Sequence, residues 1–272
     1  MLGGQSIARI STPDCTAGVD LLSYPALYRR TRFRLPSLLV LPKFLGNSEV
    51  RTALCEQLSR GFLQGKALVD GALSNGVEFF VYSSAERGGE ERSLVNPTDI
   101  PHFISKHNIE HHLIDSTKGK GMQWTILRPV AFMENMTPGI GTKVMATSWH
   151  LTIPKDKPLQ LVSIRDIGWF AAQAFLRPND FAGRSISLAG DVLTLSQANA
   201  TFKSKVGHEM PQTFSFLVRL LLWYSAEFGN MFRWFGREGF GSDLKALKAE
   251  HPGLLSWSDW LEKESEWTKK SS

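Results

Sequence analysis

Cysteine is scarce: Cys15 and Cys55 are all the thiols in 272 residues. A disulfide-stapled scaffold is therefore excluded, and so few thiols suit a reducing compartment. Long apolar runs are missing too. The most apolar stretch, Phe214 to Tyr224, is about eleven residues long and encloses Arg219, too short to span a bilayer. The opening MLGGQSIARISTPDC lacks the charged start and apolar core of a secretory signal. A cytoplasmic protein with no membrane partner is expected. Charge of one sign is also in short supply, since 31 Lys and Arg against 26 Asp and Glu leave +5. The one dense basic tract, Arg29, Arg30, Arg32 and Arg34, is not continued by an aromatic-interleaved basic face. Direct nucleic-acid binding is not expected from it. What is present, 42% apolar and 21% charged residues, excludes disorder and is ordinary for a globular chain. The length allows one large domain, or one domain with a helical lobe.

Hydrophobic patterning divides the chain into three. Residues 1–36 have no clear period and are broken by Pro13, Pro25 and Pro36. From 37 to 190, short apolar runs alternate with helical patterns. Ser37–Leu41 reads as a buried strand. Residues 49–75 read as a helix, with Leu54 and Leu58 one turn apart, an apolar face at Leu68, Val69, Ala72 and Leu73, and a left-handed stop at Asn75-Gly76. Val77–Ser84 is β-branched and aromatic on both faces, as in a strand covered on both sides. A helix follows near 100–117, then strands at 123–129, 159–163 and 185–189. This alternation predicts an α/β fold with a mostly parallel sheet and right-handed crossovers. From about 191 to 272 the pattern is helical and dense in aromatics, among them Trp223, Trp234, Trp257, Trp260 and Trp267.

In open parallel sheets ligands gather beyond the carboxyl ends of the strands. The candidate positions are therefore Pro42 and Lys43; Ser83, Ser84 and Ala85; Pro129 to Phe132; and Ile164 to Asp166. His102, Lys106, Ile109 and Leu113 recur at helical spacing and share one face. Ile109 and Leu113 would press that face on the sheet, with His102 and Lys106 in its first turns. A lysine held there can donate to ribose hydroxyls and lower the pKa of a neighbouring acid. The plainer alternative is a surface lysine laid across apolar neighbours.

The ordered set Gly76–Ser84, His102–Lys106, Trp124–Pro129, Phe132–Asn135, Asp166-Ile167-Gly168, His251–Leu255 and Trp260-Leu261 resembles the NmrA-like family, atypical relatives of the short-chain dehydrogenases/reductases. The likeness covers about residues 37–267. It implies a Rossmann-like core at 37–190 and a helical substrate lobe at 191–272. It also implies an oxidoreductase that uses NADP(H), or NAD, on a small molecule, in a tailoring step of secondary metabolism. Some members instead sense the dinucleotide and bind transcription regulators, which would make a protein the partner. Carried over residue by residue, Lys106 would contact the nicotinamide ribose. Pro129, Val130 and Phe132 would line the nicotinamide pocket with Asn135 nearby, Ser83 would sit at the strand end, and Lys66 would reach the cofactor. The superfamily's Tyr-x-x-x-Lys pair is matched here by His102 and Lys106, so His102 becomes the proton carrier. Each has a structural alternative: Ser83 and Ser84 as strand ends, Phe132 as core, Asn135 as a cap.

One departure is large. The family's strand and glycine-rich turn, which cradles pyrophosphate at a helix N-terminus, has no counterpart in this sequence. The chain resembles an N-terminally incomplete member, and a truncated member that binds nothing is a third possibility. Three other patterns are set aside. His107-Asn108-Ile109-Glu110-His111 fits an inverted zinc-protease motif, but Ile109 on the sheet would turn His107 and Glu110 to solvent, and no metal is expected. Gly61–Lys66 is one residue short of a phosphate-binding loop and has Ala67 where Ser or Thr is needed. Asp166 is most simply a helix N-cap. The mixed-charge segment Glu86–Arg92 reads as a solvated surface loop or lid.

Overall fold

The computed structural model describes residues 47–268, with side chains from residue 61 onward. The strand expected at 37–41, Pro42, Lys43, the arginine tract, both cysteine side chains and the Leu54–Leu58 pair lie outside what is described. In chain order the elements are α1 (Asn47–Ser74), β1 (Phe79–Ser83), α2 (Glu90–Val95), α3 (Pro101–Thr117), β2 (Gln123–Pro129) and β3 (Ala131–Phe132). A single 3-10 turn, Met133–Met136, leads into α4 (Ile140–Thr152), β4 (Leu159–Val162), α5 (Ile164–Leu176), α6 (Pro178–Phe181), β5 (Arg184–Leu188) and β6 (Asp191–Leu193). The remainder is helical: α7 (Leu195–Val206), α8 (Ser215–Tyr224), α9 (Ala226–Arg237), α10 (Leu244–Glu250) and α11 (Trp257–Lys263).

The strands form two three-stranded sheets rather than one. In the first, β2 lies between β1 and β5, all parallel, with Phe79 opposite Gln123 and Thr125 opposite Arg184. In the second, β4 pairs parallel with β3 and antiparallel with β6. The expectation that the strand near 159–163 joins the main sheet is corrected here. Just past Pro129 the chain forms β3, whose two residues claim β4 at Leu161 and Val162. The two sheets are stitched where Val130 N–H donates to Leu188 and Gly190 N–H to Leu161.

The alternation of side chains along β1 explains its double coverage. Phe79 and Val81 pack on the cluster of Leu127, Phe170 and Ala174, on the α5 side. Phe80 and Tyr82 pack on Val69, Leu113 and Ile126, on the α1 and α3 side. Gly76, with φ +70°, ends the α1 segment as a left-handed residue. Ile109, buried, meets α1 at Gly65, where a Cβ would come within 2.3 Å of Ile109 Cδ1. A glycine there lets the two helices touch.

The rest of the helical lobe forms the largest core, from Phe103 and Met145 to Trp234, Trp257 and Trp260. Ser163, not Asp166, caps α5, and Asp166 sits buried one turn inside, accepting from Leu255 N–H at 3.0 Å. His251 approaches the same carboxylate at 3.3 Å and stacks on Trp169 at 3.9 Å, so Asp166 anchors the closing segment. Gly61–Lys66 is uninterrupted helix within α1, so no phosphate-binding loop forms there.

Candidate functional site

Beyond the ends of β1 and β2 lies a pocket of about 150 Å³. The sheet side supplies Ser83, Ser84, Ala85 and Pro129 to Phe132, and the 3-10 turn supplies Asn135. Helix α3 supplies His102, Phe103 and Lys106, and the lobe closes the far side with Met145, Phe228, Met231 and Phe240. Of the residues singled out from sequence, Ser83, His102, Lys106, Pro129, Val130, Phe132 and Asn135 line this one cavity. Lys66 does not: its ammonium pairs with Asp70 one turn along α1 at 2.5 Å, on a half-exposed face.

The polar wall is held rigidly. The β1 ladder continues past its last residue, as Ser84 N–H donates to Leu127 and Glu86 N–H to Pro129. Lys106 Nζ donates to the Ser84 carbonyl at 3.0 Å. Arg87 Nη1 donates to the Ala85 carbonyl at 2.6 Å. The ammonium of Lys106 is thus anchored at the strand end from which the pocket opens. Behind it, Glu110 receives Arg87 at 2.8 Å and Arg128 at 2.7 Å. All three are buried. Burial pushes the Glu110 carboxyl up, but the hydrogen bond from Arg128 and the charges of both guanidinium groups outweigh it and hold it below the ordinary range.

This overturns two sequence expectations. Glu110 is not turned to solvent, because α3 presents it to two arginines rising from β2 and from the turn after β1. The segment beginning at Glu86 is not simply a solvated loop: Glu86 and Arg87 are fully buried. Glu86 accepts from the backbone N–H groups of Gly88, Gly89 and Gly241, and the Arg87 backbone N–H donates to Ser93 Oγ. His107 and His111 both turn their Nε2 atoms to the Leu94 carbonyl, at 3.2 and 3.0 Å. Among the described residues no group of three or more His, Cys, Asp and Glu gathers in metal-binding fashion.

Sequence reasoning missed Glu227. This buried carboxylate, near the start of α9, contacts His102 Nδ1 and also receives the His102 backbone N–H at 3.4 Å. Burial, and then the nearby Lys106 ammonium, push the His102 imidazole down to about 3. The ring is neutral at neutral pH and stands between a cation and an anion. With Nδ1–H directed at Glu227, Nε2 keeps its lone pair and makes no hydrogen bond among the described residues. No local signal marks Glu227, which lies 125 positions from its partner. The pocket's Phe228 and Met231 had a faint one, because Phe228, Met231, Phe232 and Phe235 recur at helical spacing.

These residues match only part of a dinucleotide. The anchored lysine, the strand-end serines and the Pro129–Phe132 shelf fit a ribose and a flat ring. The described residues offer no glycine-rich strand–turn–helix of the family type for a diphosphate.

The NmrA-like family model matches residues 40–264. Among solved structures, the monoclinic form of NmrA, a negative transcriptional regulator, superposes with TM-score 0.56 at 16% identity, over 76% of this chain and 71% of that one. NmrA in complex with NADP gives TM-score 0.52 at 16% identity, over 75% and 69%. UDP-glucuronic acid 4-epimerase from Bacillus cereus, in complex with UDP-glucuronic acid and NAD, gives 0.53 at 16% identity, over 77% and 67%. At such identities the likeness is one of fold: a Rossmann-like, mostly parallel sheet with helices.

Proposed function

Because the chain belongs to the NmrA-like family, we propose that its pocket receives the nicotinamide–ribose end of NADP(H), or of NAD, beside a small apolar substrate, and that the protein is an oxidoreductase. The observation that carries this reading is the anchoring of Lys106 on the Ser84 carbonyl at 3.0 Å, at the mouth shared by Ser83, Pro129, Val130 and Asn135. When bound, the dinucleotide supplies or takes up a hydride. The protein's part is to hold and orient. Lys106 donates to ribose hydroxyls, and Asn135 offers an amide that can both donate and accept. Pro129, Val130 and Phe132 give a flat apolar seat that excludes water. His102 Nε2, with Nδ1 tied to Glu227 and the ring neutral, offers a lone pair that accepts a hydrogen bond, or a proton, from a substrate hydroxyl. The aromatic and thioether wall of Phe103, Met145, Phe228, Met231 and Phe240 suits an uncharged aromatic or polyketide-like substrate, in keeping with a tailoring step of secondary metabolism.

A second reading rests on the same His102–Glu227 contact. A histidine held by a buried carboxylate, where the superfamily has tyrosine, also fits a dinucleotide sensor without turnover. Titration of the chain with NADPH and NADH, followed by nucleotide fluorescence, tests both. Saturable binding that weakens in Lys106→Met supports the shared core of the two readings. Turnover of a carbonyl panel supports the enzyme, and binding without turnover supports the sensor. Absence of saturable binding refutes both.

A further inference from the structure

Helix α8 is at odds with the rest of the surface. Of its residues only Val218 and Leu222 are buried. Phe216, Leu217, Leu220, Leu221 and Tyr224 are exposed, and Trp223 is 79% exposed. So many large apolar side chains standing together mark a surface that meets something else. Phe216, Leu220 and Trp223 follow one another at helical steps, forming an outward stripe opposite the Val218–Leu222 seam.

Charge narrows what that something is. Arg219 lies in the stripe, three residues after Phe216 and four before Trp223, and residues 210–226 contain no Asp or Glu. A second copy docked by twofold symmetry would bring the two Arg219 groups into one apolar patch with no carboxylate from α8 to meet either. A bilayer removes the conflict. Acyl chains take up the apolar side chains, while the long stem of Arg219 carries its guanidinium to lipid phosphate. Aromatic residues at both ends of the segment, Phe214 and Phe216 at one and Trp223 and Tyr224 at the other, suit the interfacial layer.

The geometry points to α8 as a peripheral docking face for a bilayer that carries anionic phospholipid. This departs from the expectation of no membrane partner. A segment too short to cross a membrane is long enough to lie along one. The contact would sit next to the pocket. At Gly229 of α9 a Cβ would fall 2.1 Å from the Leu222 carbonyl oxygen, so α9, with Phe228 and Met231 of the pocket wall, packs directly behind the docked helix.

Flotation of the full chain with vesicles of phosphatidylcholine plus phosphatidylglycerol, and with phosphatidylcholine alone, tests this. The chain is expected to float with the mixed vesicles and less with the neutral ones. Leu220→Glu and Trp223→Glu are each expected to cut the bound fraction roughly tenfold or more, the scale of withdrawing one large apolar side chain from burial. Both positions are exposed, so circular dichroism should be unchanged. Arg219→Glu should erase the preference for the anionic vesicles. Failure to float with either vesicle overturns the proposal, as does equal floating with both. A concentration-dependent dimer that Leu220→Glu dissolves, with no vesicle binding, assigns the face to a second copy instead. NADPH titration of the same variants keeps this outcome separate from the dinucleotide reading.

Discussion

The two walls of the pocket are built from opposite chemistry. On the sheet side, Lys106 and Arg87 donate to consecutive carbonyls, Ser84 and Ala85, and a buried Arg87–Glu110–Arg128 group stands behind them. On the lobe side, Met145, Phe228, Met231 and Phe240 make contacts that have no preferred direction. Hydrogen bonds to charged groups fix atoms in place, whereas dispersion fills space and tolerates a change of shape. The polar wall therefore suits a group that is always the same, such as a ribose. The apolar wall suits the part of a ligand that can differ.

Variants can break this contrast, beginning with the polar wall. Glu110→Gln leaves two buried guanidinium groups without a counter-charge and should cost about 3–5 kcal/mol, read as a lower urea midpoint at unchanged slope. Lys106→Met should weaken NADPH binding by roughly ten- to hundredfold, the range of one lost hydrogen bond from a charged donor, measured by the same fluorescence titration. Gly65→Ala should cost ~1–3 kcal/mol by pushing α1 off Ile109, seen as a lower melting temperature. Met231→Leu conserves volume and should cost under about 1.5 kcal/mol, while changing which apolar ligands bind.

A pH dependence is also expected. His102 titrates near 6.5 when solvated and at about 3 in the fold. Between these values the unfolded chain holds a proton that the folded chain does not, so stability falls as pH drops below about 6.5. The Glu110 contribution runs the same way but begins lower, because a carboxylate held below its usual 4.5 loses its advantage only as pH falls past that point. Urea titrations at pH 7 and pH 5 therefore read the histidine contribution, to which His107, also held below its ordinary value chiefly by burial, adds with the same sign. His102→Gln is expected to flatten the difference, and an unchanged slope would remove the neutral-ring assignment.

Much of this architecture could be read from sequence. The β1 and β2 runs, the face shared by His102 and Lys106, and the residues just past each strand are local signals, and the pocket is assembled from them. What escaped reading depends on distant partners. Glu110 looked like a solvent residue because periodicity marks apolar faces, not a carboxylate whose arginines lie 18 and 23 positions away. Asp166 looked like a cap because its partner, Leu255 N–H, is 89 positions on. The split into two sheets hinged on β3, two residues long, which no apolar period can announce.

On the proposed reading the pocket takes the nicotinamide end of the dinucleotide and not the adenine end. Saturation-transfer NMR of NADPH with the full chain measures which ligand protons lie nearest the protein. The strongest transfer is expected to the nicotinamide and adjoining ribose protons, and it should be lost in Lys106→Met. Transfer centred on adenine, or none at all, would contradict it.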